Sequence, residues 1–187
     1  QLRPGMYTRT TDPTHMVVEA IDNAVDEAMA GHARNIEVTL SRDGSVAVAD
    51  DGRGIPVGLH PEEKVPTIQV VFQVIHSGGK FAKGEANSSY KFTGGLHGVG
   101  VSVTNALSSR LEVEVKREGK HYRIVFANGE VIEPLTVIGQ CGARNTGTVL
   151  RIWPNAKYFD SSSLQRGELE HLLRAKAMLL PGVKVLL

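Results

Sequence analysis

Glu19, Asp22, Asn23, Asp26 and Glu27 fall within nine consecutive positions, and on a helical wheel they gather opposite Val17, Ile21, Ala24, Val25 and Ala28, with Glu27 at the edge. A solvated polar face would explain such a helix. This one, however, holds four carboxylates with no lysine or arginine, so like charges one turn apart repel instead of pairing. Asn23 one turn after Glu19 is a sensible arrangement for a hard cation and a water. The amide offers Mg²⁺ a neutral oxygen, and the carboxylate can orient and deprotonate water.

Two glycine-rich stretches complete the chemistry-bearing set. Asp50-Asp51-Gly52-Arg53-Gly54-Ile55-Pro56 follows a strand pattern. It reads either as a tight turn or as a place where Gly54 lets a flat ligand approach the backbone while an Asp accepts from an exocyclic amine such as that of adenine. Gly94-Gly95-Leu96-His97-Gly98-Val99-Gly100 runs straight into a short helix pattern, Val101 to Leu107. Free amides leading into a helix start bind anions. The spacing is neither GxxxxGK[ST] nor the dinucleotide fingerprint.

These residues need a scaffold, and the patterning supplies one. Asp12-Pro13 is a helix start, Asp as cap and Pro at the first position, and Gly31 is a stop. Ile36–Leu40 and Val46–Ala49 alternate as strands about the turn Arg42-Asp43-Gly44-Ser45. Pro66 to His76 reads as a helix with Val70, Val71, Val74 and Ile75 on one side, and residues 77–96 break into a polar loop. Leu111–Lys116, Tyr122–Phe126 and Val131–Val137 suggest a meander, Gly147–Trp153 a further strand, Ser163–Leu180 an amphipathic helix and Val183–Leu187 a strand-like end. Helices and strands interleave without strict alternation. This favours a mixed-sheet α/β sandwich over a doubly wound parallel sheet.

Composition narrows the class. The chain has 187 residues, 41% hydrophobic and 22% charged, with net charge +1. That is enough for a substantial core, and the near-neutral charge disfavours a simple nucleic-acid-binding module. No apolar run approaches the ~18 residues of a membrane span. The single Cys141 cannot close an internal disulfide and reads as a small core residue in a reduced compartment. His32, His76 and Trp153 read as structural.

In order along the chain stand Glu19-x-x-x-Asn23, Asp50-x-Gly52-x-Gly54, Gly95-x-x-Gly98-x-Gly100 and Thr146-Gly147-Thr148. This set resembles the GHKL ATPases, the superfamily of gyrase, Hsp90, histidine kinases and MutL. Arg3–Tyr7, Ile21–Ala28, Asp50–Pro56, His76–Phe81 and Gly94–Gly100 are similar to the N-terminal ATPase domain of bacterial type IIA topoisomerase B subunits over essentially the whole chain. His60–Glu63, Cys141–Thr146 and Trp153–Asp160 lean toward the topoisomerase IV branch, with gyrase next.

The resemblance implies a GHKL (Bergerat) ATP-binding fold over residues 1–187, a two-layer α/β sandwich of a mixed, mostly antiparallel sheet with helices on one face, with the family's N-terminal arm and C-terminal transducer domain outside the chain. It implies ATP and Mg²⁺ as cofactors, Glu19 as general base, Asn23 as the Mg²⁺ ligand and Asp50 as acceptor from the adenine amine, helped by Thr148 through water. Gly54 and Pro56 would line the pocket, with Arg53 paired to Glu27. Lys80 and the amides of Leu96, His97, Gly98, Val99 and Gly100 would hold phosphates, and Arg117 would meet aminocoumarin inhibitors. The full-length protein is expected in the bacterial cytoplasm at the nucleoid. There it would homodimerise, pair with the topoisomerase IV A subunit and DNA, and couple hydrolysis to strand passage, while the isolated chain would be monomeric. A histidine kinase and a MutL- or Hsp90-type clamp are the rival readings.

Overall fold

Alternating β-branched and polar residues build the strands. Leu111, Val113 and Val115 are fully buried, while Glu112, Glu114 and Lys116 between them are partly exposed. The computed structural model describes residues 13–73, 100–159 and 164–187. The elements in chain order are α1 (Thr14–Met29), β1 (Asn35–Leu40), β2 (Val46–Asp50), α2 (Thr67–Gln73), α3 (Gly100–Ala106), β3 (Ser108–Arg117), β4 (Lys120–Ala127), β5 (Glu130–Gln140), β6 (Gly147–Pro154), α4 (Arg166–Met178) and β7 (Lys184–Leu186).

The strands form one sheet in the order β5-β4-β3-β6-β2-β1-β7. Every described pairing is antiparallel except that of β1 with β7, so the sheet is mixed and mostly antiparallel, as expected. Met16, Val17 and Ile21 of α1, Ile68 of α2, Val101 of α3 and Leu169 of α4 share one buried cluster with Leu111, Val113, Leu150 and Ile152 of the sheet. Helices therefore cover one face, and the other carries charged side chains such as the Arg110–Glu112–Arg123 array.

Short turns keep the strands in register. In the β1–β2 turn the Asp43 carboxylate accepts from the Ser45 amide at 2.9 Å and hydroxyl at 2.6 Å, and Gly44 adopts φ 83°. The β3–β4 and β4–β5 turns place Glu118-Gly119 and Asn128-Gly129 at positive φ, the backbone that suits the twist of a tight hairpin.

Some expectations shift. Pro13 sits in helical backbone just ahead of α1, and Asp12 lies outside the described residues. Gly31, at φ 83°, does end α1. Helix α2 begins one residue after Pro66, and its continuation through Val74, Ile75 and His76 is outside the described residues, as is the 77–96 loop. Cys141 is not in the core: it is half-buried after β5, its thiol donating to the Asn145 carbonyl at 3.4 Å. The strand-like C-terminal run becomes β7, parallel to β1, because the exposed flank of β1 offers its backbone groups there. Among the described residues no helix is long and apolar enough to cross a membrane.

Candidate functional site

Helix α1 lays Glu19 and Asn23 one turn apart, Asn23 buried at 9% exposure and Glu19 half-buried. The repulsion expected along this face is relieved by the tertiary structure. Asp22 meets Lys176 of α4 at 2.8 Å, and Glu27, only 6% exposed, meets Arg53 at 2.8 Å. Neither cation lies on α1, so no helical periodicity could reveal them. Thr104 of α3 donates its hydroxyl to the Met16 carbonyl at 2.9 Å, fastening the helix that begins at Gly100 to the one that carries Glu19. Gly100 is buried with φ 48°.

Asp50 ends β2, opposite Thr148 of β6. There the chain leaves the sheet. The Asp50 carboxylate accepts from the Gly52 amide at 2.8 Å, the Glu27 carboxylate accepts from the Arg53 amide at 3.0 Å, and the buried Thr148 hydroxyl accepts from the Ile55 amide at 3.1 Å. Two glycines let the backbone segments of this corner pack closely. A Cβ on Gly147 would run into the Asp50 carbonyl, and one on Gly54, at φ 82°, would stand 2.8 Å from the Lys116 carbonyl. Arg117 donates to the Gly54 carbonyl at 2.8 Å, and Pro56 stands half-buried two residues on. Asp50, Gly54, Pro56, Arg117 and Thr148 therefore share one corner of the sheet, joined to α1 through Glu27 and Arg53.

The electrostatics single out Asp50. Burial first, then the negative charges of Glu27 and Asp51, push its carboxyl up to about 7 against the lowering effect of the Gly52 and Thr148 amides. A carboxyl so displaced at the end of a strand makes this corner a candidate binding site. Asp51 behaves oppositely. Partial burial works against its ionisation, but bonds from the Asn35 side chain and from the Asn35 and Arg34 amides outweigh it and hold the carboxyl below 3.8. Sequence reasoning saw Asp51 only as a turn residue, because its partners lie 16 and 17 positions away. Lys80, Leu96, His97, Gly98 and Val99 lie outside the described residues.

Residues 8–155 match the family described as histidine kinase-, DNA gyrase B- and HSP90-like ATPases. The chain belongs to that ATPase family. Within it, 183 residues are 54% identical to the B subunit of DNA topoisomerase 4 from Escherichia coli K12, covering 98% of this chain. The chain spans 28% of the length of that relative. The topoisomerase IV ATP-binding domain of Francisella tularensis, solved with a small-molecule inhibitor, superposes with TM-score 0.85 at 46% identity, over 98% of this chain and 84% of that one. The 43K ATPase domain of Thermus thermophilus gyrase B, solved with an aminocoumarin, superposes with TM-score 0.84 at 42% identity, over 98% and 45%. The resemblance to type IIA topoisomerase B subunits and the GHKL fold are thereby borne out, with topoisomerase IV ahead of gyrase.

Proposed function

We propose that this chain binds ATP and hydrolyses it with Mg²⁺, as the ATPase domain of a bacterial topoisomerase IV B subunit. The observation that carries the reading is the Asp50 corner, where a displaced carboxyl stands at the end of β2 beside a turn that Gly54 and Gly147 let pack directly against the neighbouring strands. An adenine amine would donate to Asp50, a water would bridge to Thr148, and Gly54 and Pro56 would lie along the ring. The Glu27–Arg53 pair would form one wall and Arg117 the mouth, where an aminocoumarin would also bind.

Phosphoryl transfer to water asks for positioning, charge neutralisation and a base. Glu19 would take the proton of the attacking water. The α1 face offers only hard oxygen donors, Asn23 beside Glu19, which fits Mg²⁺ brought in with phosphates. Bound there, Mg²⁺ would neutralise charge on the phosphate oxygens. Asn23 would hold it, while Lys80 and the amides of Leu96 to Gly100 would hold the phosphates.

In the whole protein, nucleotide binding would close a homodimer around DNA, together with an A subunit, and drive strand passage leading to decatenation and relaxation in the bacterial cytoplasm. A gyrase-type role, negative supercoiling, is the second reading, supported by the gyrase B neighbour. Calorimetric titration of the chain with ATP, with and without Mg²⁺ and in competition with an aminocoumarin, tests the site. Tight competitive binding is expected, and absence of ATP binding would overturn the reading. Decatenation against supercoiling by the full-length protein with its A subunit separates the two roles.

A further inference from the structure

Two carboxylates stitch the end of α1 and the start of β1 to the turn after β2, and they reach in opposite directions. Glu27 goes forward to the Arg53 amide and guanidinium. Asp51 goes back: one oxygen accepts from the Arg34 and Asn35 amides at 2.7 and 2.9 Å, and the other accepts from the Asn35 side-chain amide at 2.7 Å.

The need for Asp51 follows from the ladder. The β1–β2 pairing runs from Leu40↔Val46 to Ile36↔Asp50 and stops. The next pair would be Asn35 with Asp51, but there the backbone must leave the sheet to make the turn through Gly52 and Gly54. Leaving would free the first amides of β1, and the Asp51 carboxylate takes the place of the missing ladder bonds. On its other flank the same segment is tied to β7, the Lys184 amide donating to the Arg34 carbonyl at 2.8 Å. The residue after Asp50 is thus anchored to a segment held from both sides, and the backbone leaves the sheet at a set angle.

We propose that Asp51 is a positioning residue for purine recognition: its anchor to Arg34 and Asn35 sets the direction of the neighbouring Asp50 carboxylate and so the preference for a 6-amino over a 6-oxo purine. This rests on the reading that Asp50 accepts from the adenine amine. Hydrogen bonds weaken steeply with misalignment, so a turn released at residue 51 loses the amine contact while ring and phosphate contacts persist.

The test is equilibrium binding of ATP and of inosine triphosphate, which lacks the amine, in Mg²⁺ at pH 8.5. At that pH Asp50, which stands at about 7, is ionised with or without Asp51, whose charge only raises it. The wild-type chain should prefer ATP. Asp51→Ala should lower the ATP-to-inosine-triphosphate ratio about tenfold, the scale of one bond to a charged group, with inosine triphosphate affinity little changed. The reciprocal exchange Asp51→Asn with Asn35→Asp restores a donor–acceptor pair across the gap and should recover most of the ratio.

An unchanged ratio in a folded Asp51→Ala variant overturns the proposal, as does an equal loss for both nucleotides, the mark of general destabilisation. If Asp51→Ala does not fold, Asn35→Ala carries the test: it removes the 2.7 Å side-chain bond and must lower the ratio in the same direction. A wild-type chain that binds ATP with no preference over inosine triphosphate would instead sink the Asp50 reading beneath it.

Discussion

The Glu27 carboxylate accepts from Arg53 three times, from its backbone amide at 3.0 Å and from its guanidinium at 2.8 and 3.4 Å, while 6% of Glu27 remains exposed. A helix is thereby fixed to a turn 26 residues later. The same carboxylate lies against Gly52, where a Cβ would stand 2.5 Å from its oxygen, and its charge raises the pKa of Asp50. One side chain thus shapes the corner and adds its charge to the burial that displaces Asp50.

Replacing Glu27 by Gln should expose that double role. The Arg53 guanidinium loses its ionic partner in a largely buried setting, and the fold should lose about 2–4 kcal/mol, read by urea unfolding. The Asp50 titration should also move toward lower pH, read by carboxyl NMR. A stability change with no movement of that titration would separate the two effects and refute the second.

Asp50 gives the chain a distinctive pH dependence. The folded state holds the Asp50 proton up to about pH 7, whereas the unfolded chain releases it near 3.8. Its stabilising share is therefore complete below 3.8 and is lost as pH rises to about 7, with a slope of up to roughly 1.4 kcal/mol per pH unit. Asp50→Asn should be more stable than wild type at pH 8, with the gap closing toward pH 4. Thermal unfolding without nucleotide at pH 4, 6 and 8 reads this directly.

The same group should make nucleotide affinity rise with pH. Only the ionised carboxylate accepts from an adenine amine without competing with its own proton, so ATP binding should strengthen between pH 6 and 8. Asp50→Asn should bind weakly and flatten that profile. Wild-type affinity in Asp50→Asn by calorimetry would exclude the adenine contact.

Glu19→Ala should still bind ATP and lose turnover by about 10²-fold or more, the usual share of a general base. Steady-state phosphate release beside calorimetric binding distinguishes this from a loss of affinity. Unchanged hydrolysis would remove Glu19 from its assigned role.

Gly54→Ala combines a φ of 82° with a Cβ 2.8 Å from the Lys116 carbonyl and 2.9 Å from Val115. It should cost about 2 kcal/mol in unfolding and weaken ATP binding, since the Arg117 contact to its carbonyl must shift. Gly142→Ala, with nothing within 4 Å of the new methyl, should stay within about 0.5 kcal/mol of wild type.

Much of this protein is local and therefore legible in its residues. Period-two burial at Leu111, Val113 and Val115, the apolar stripe of α1 and the stop at Gly31 follow from neighbours a few positions apart, and so do the strands and helices built from them. The spacing Glu19 to Asn23 and the run Asp50 to Pro56, taken with the later glycine motifs, likewise mark a candidate site, because side-chain direction on a helix and backbone freedom at glycine are short-range properties. What the chain order left open were the partners. Lys176 reaches Asp22, Asp51 caps the start of β1 and Cys141 sits outside the core, none of which carries a periodic signal, while the Arg53–Glu27 pair was foreshadowed only by the family resemblance. Those outcomes depend on which elements the sheet order brings side by side. Burial, not residue type, then turned one aspartate of the Asp50-Asp51 pair into a displaced acid and left the other an ionised anchor.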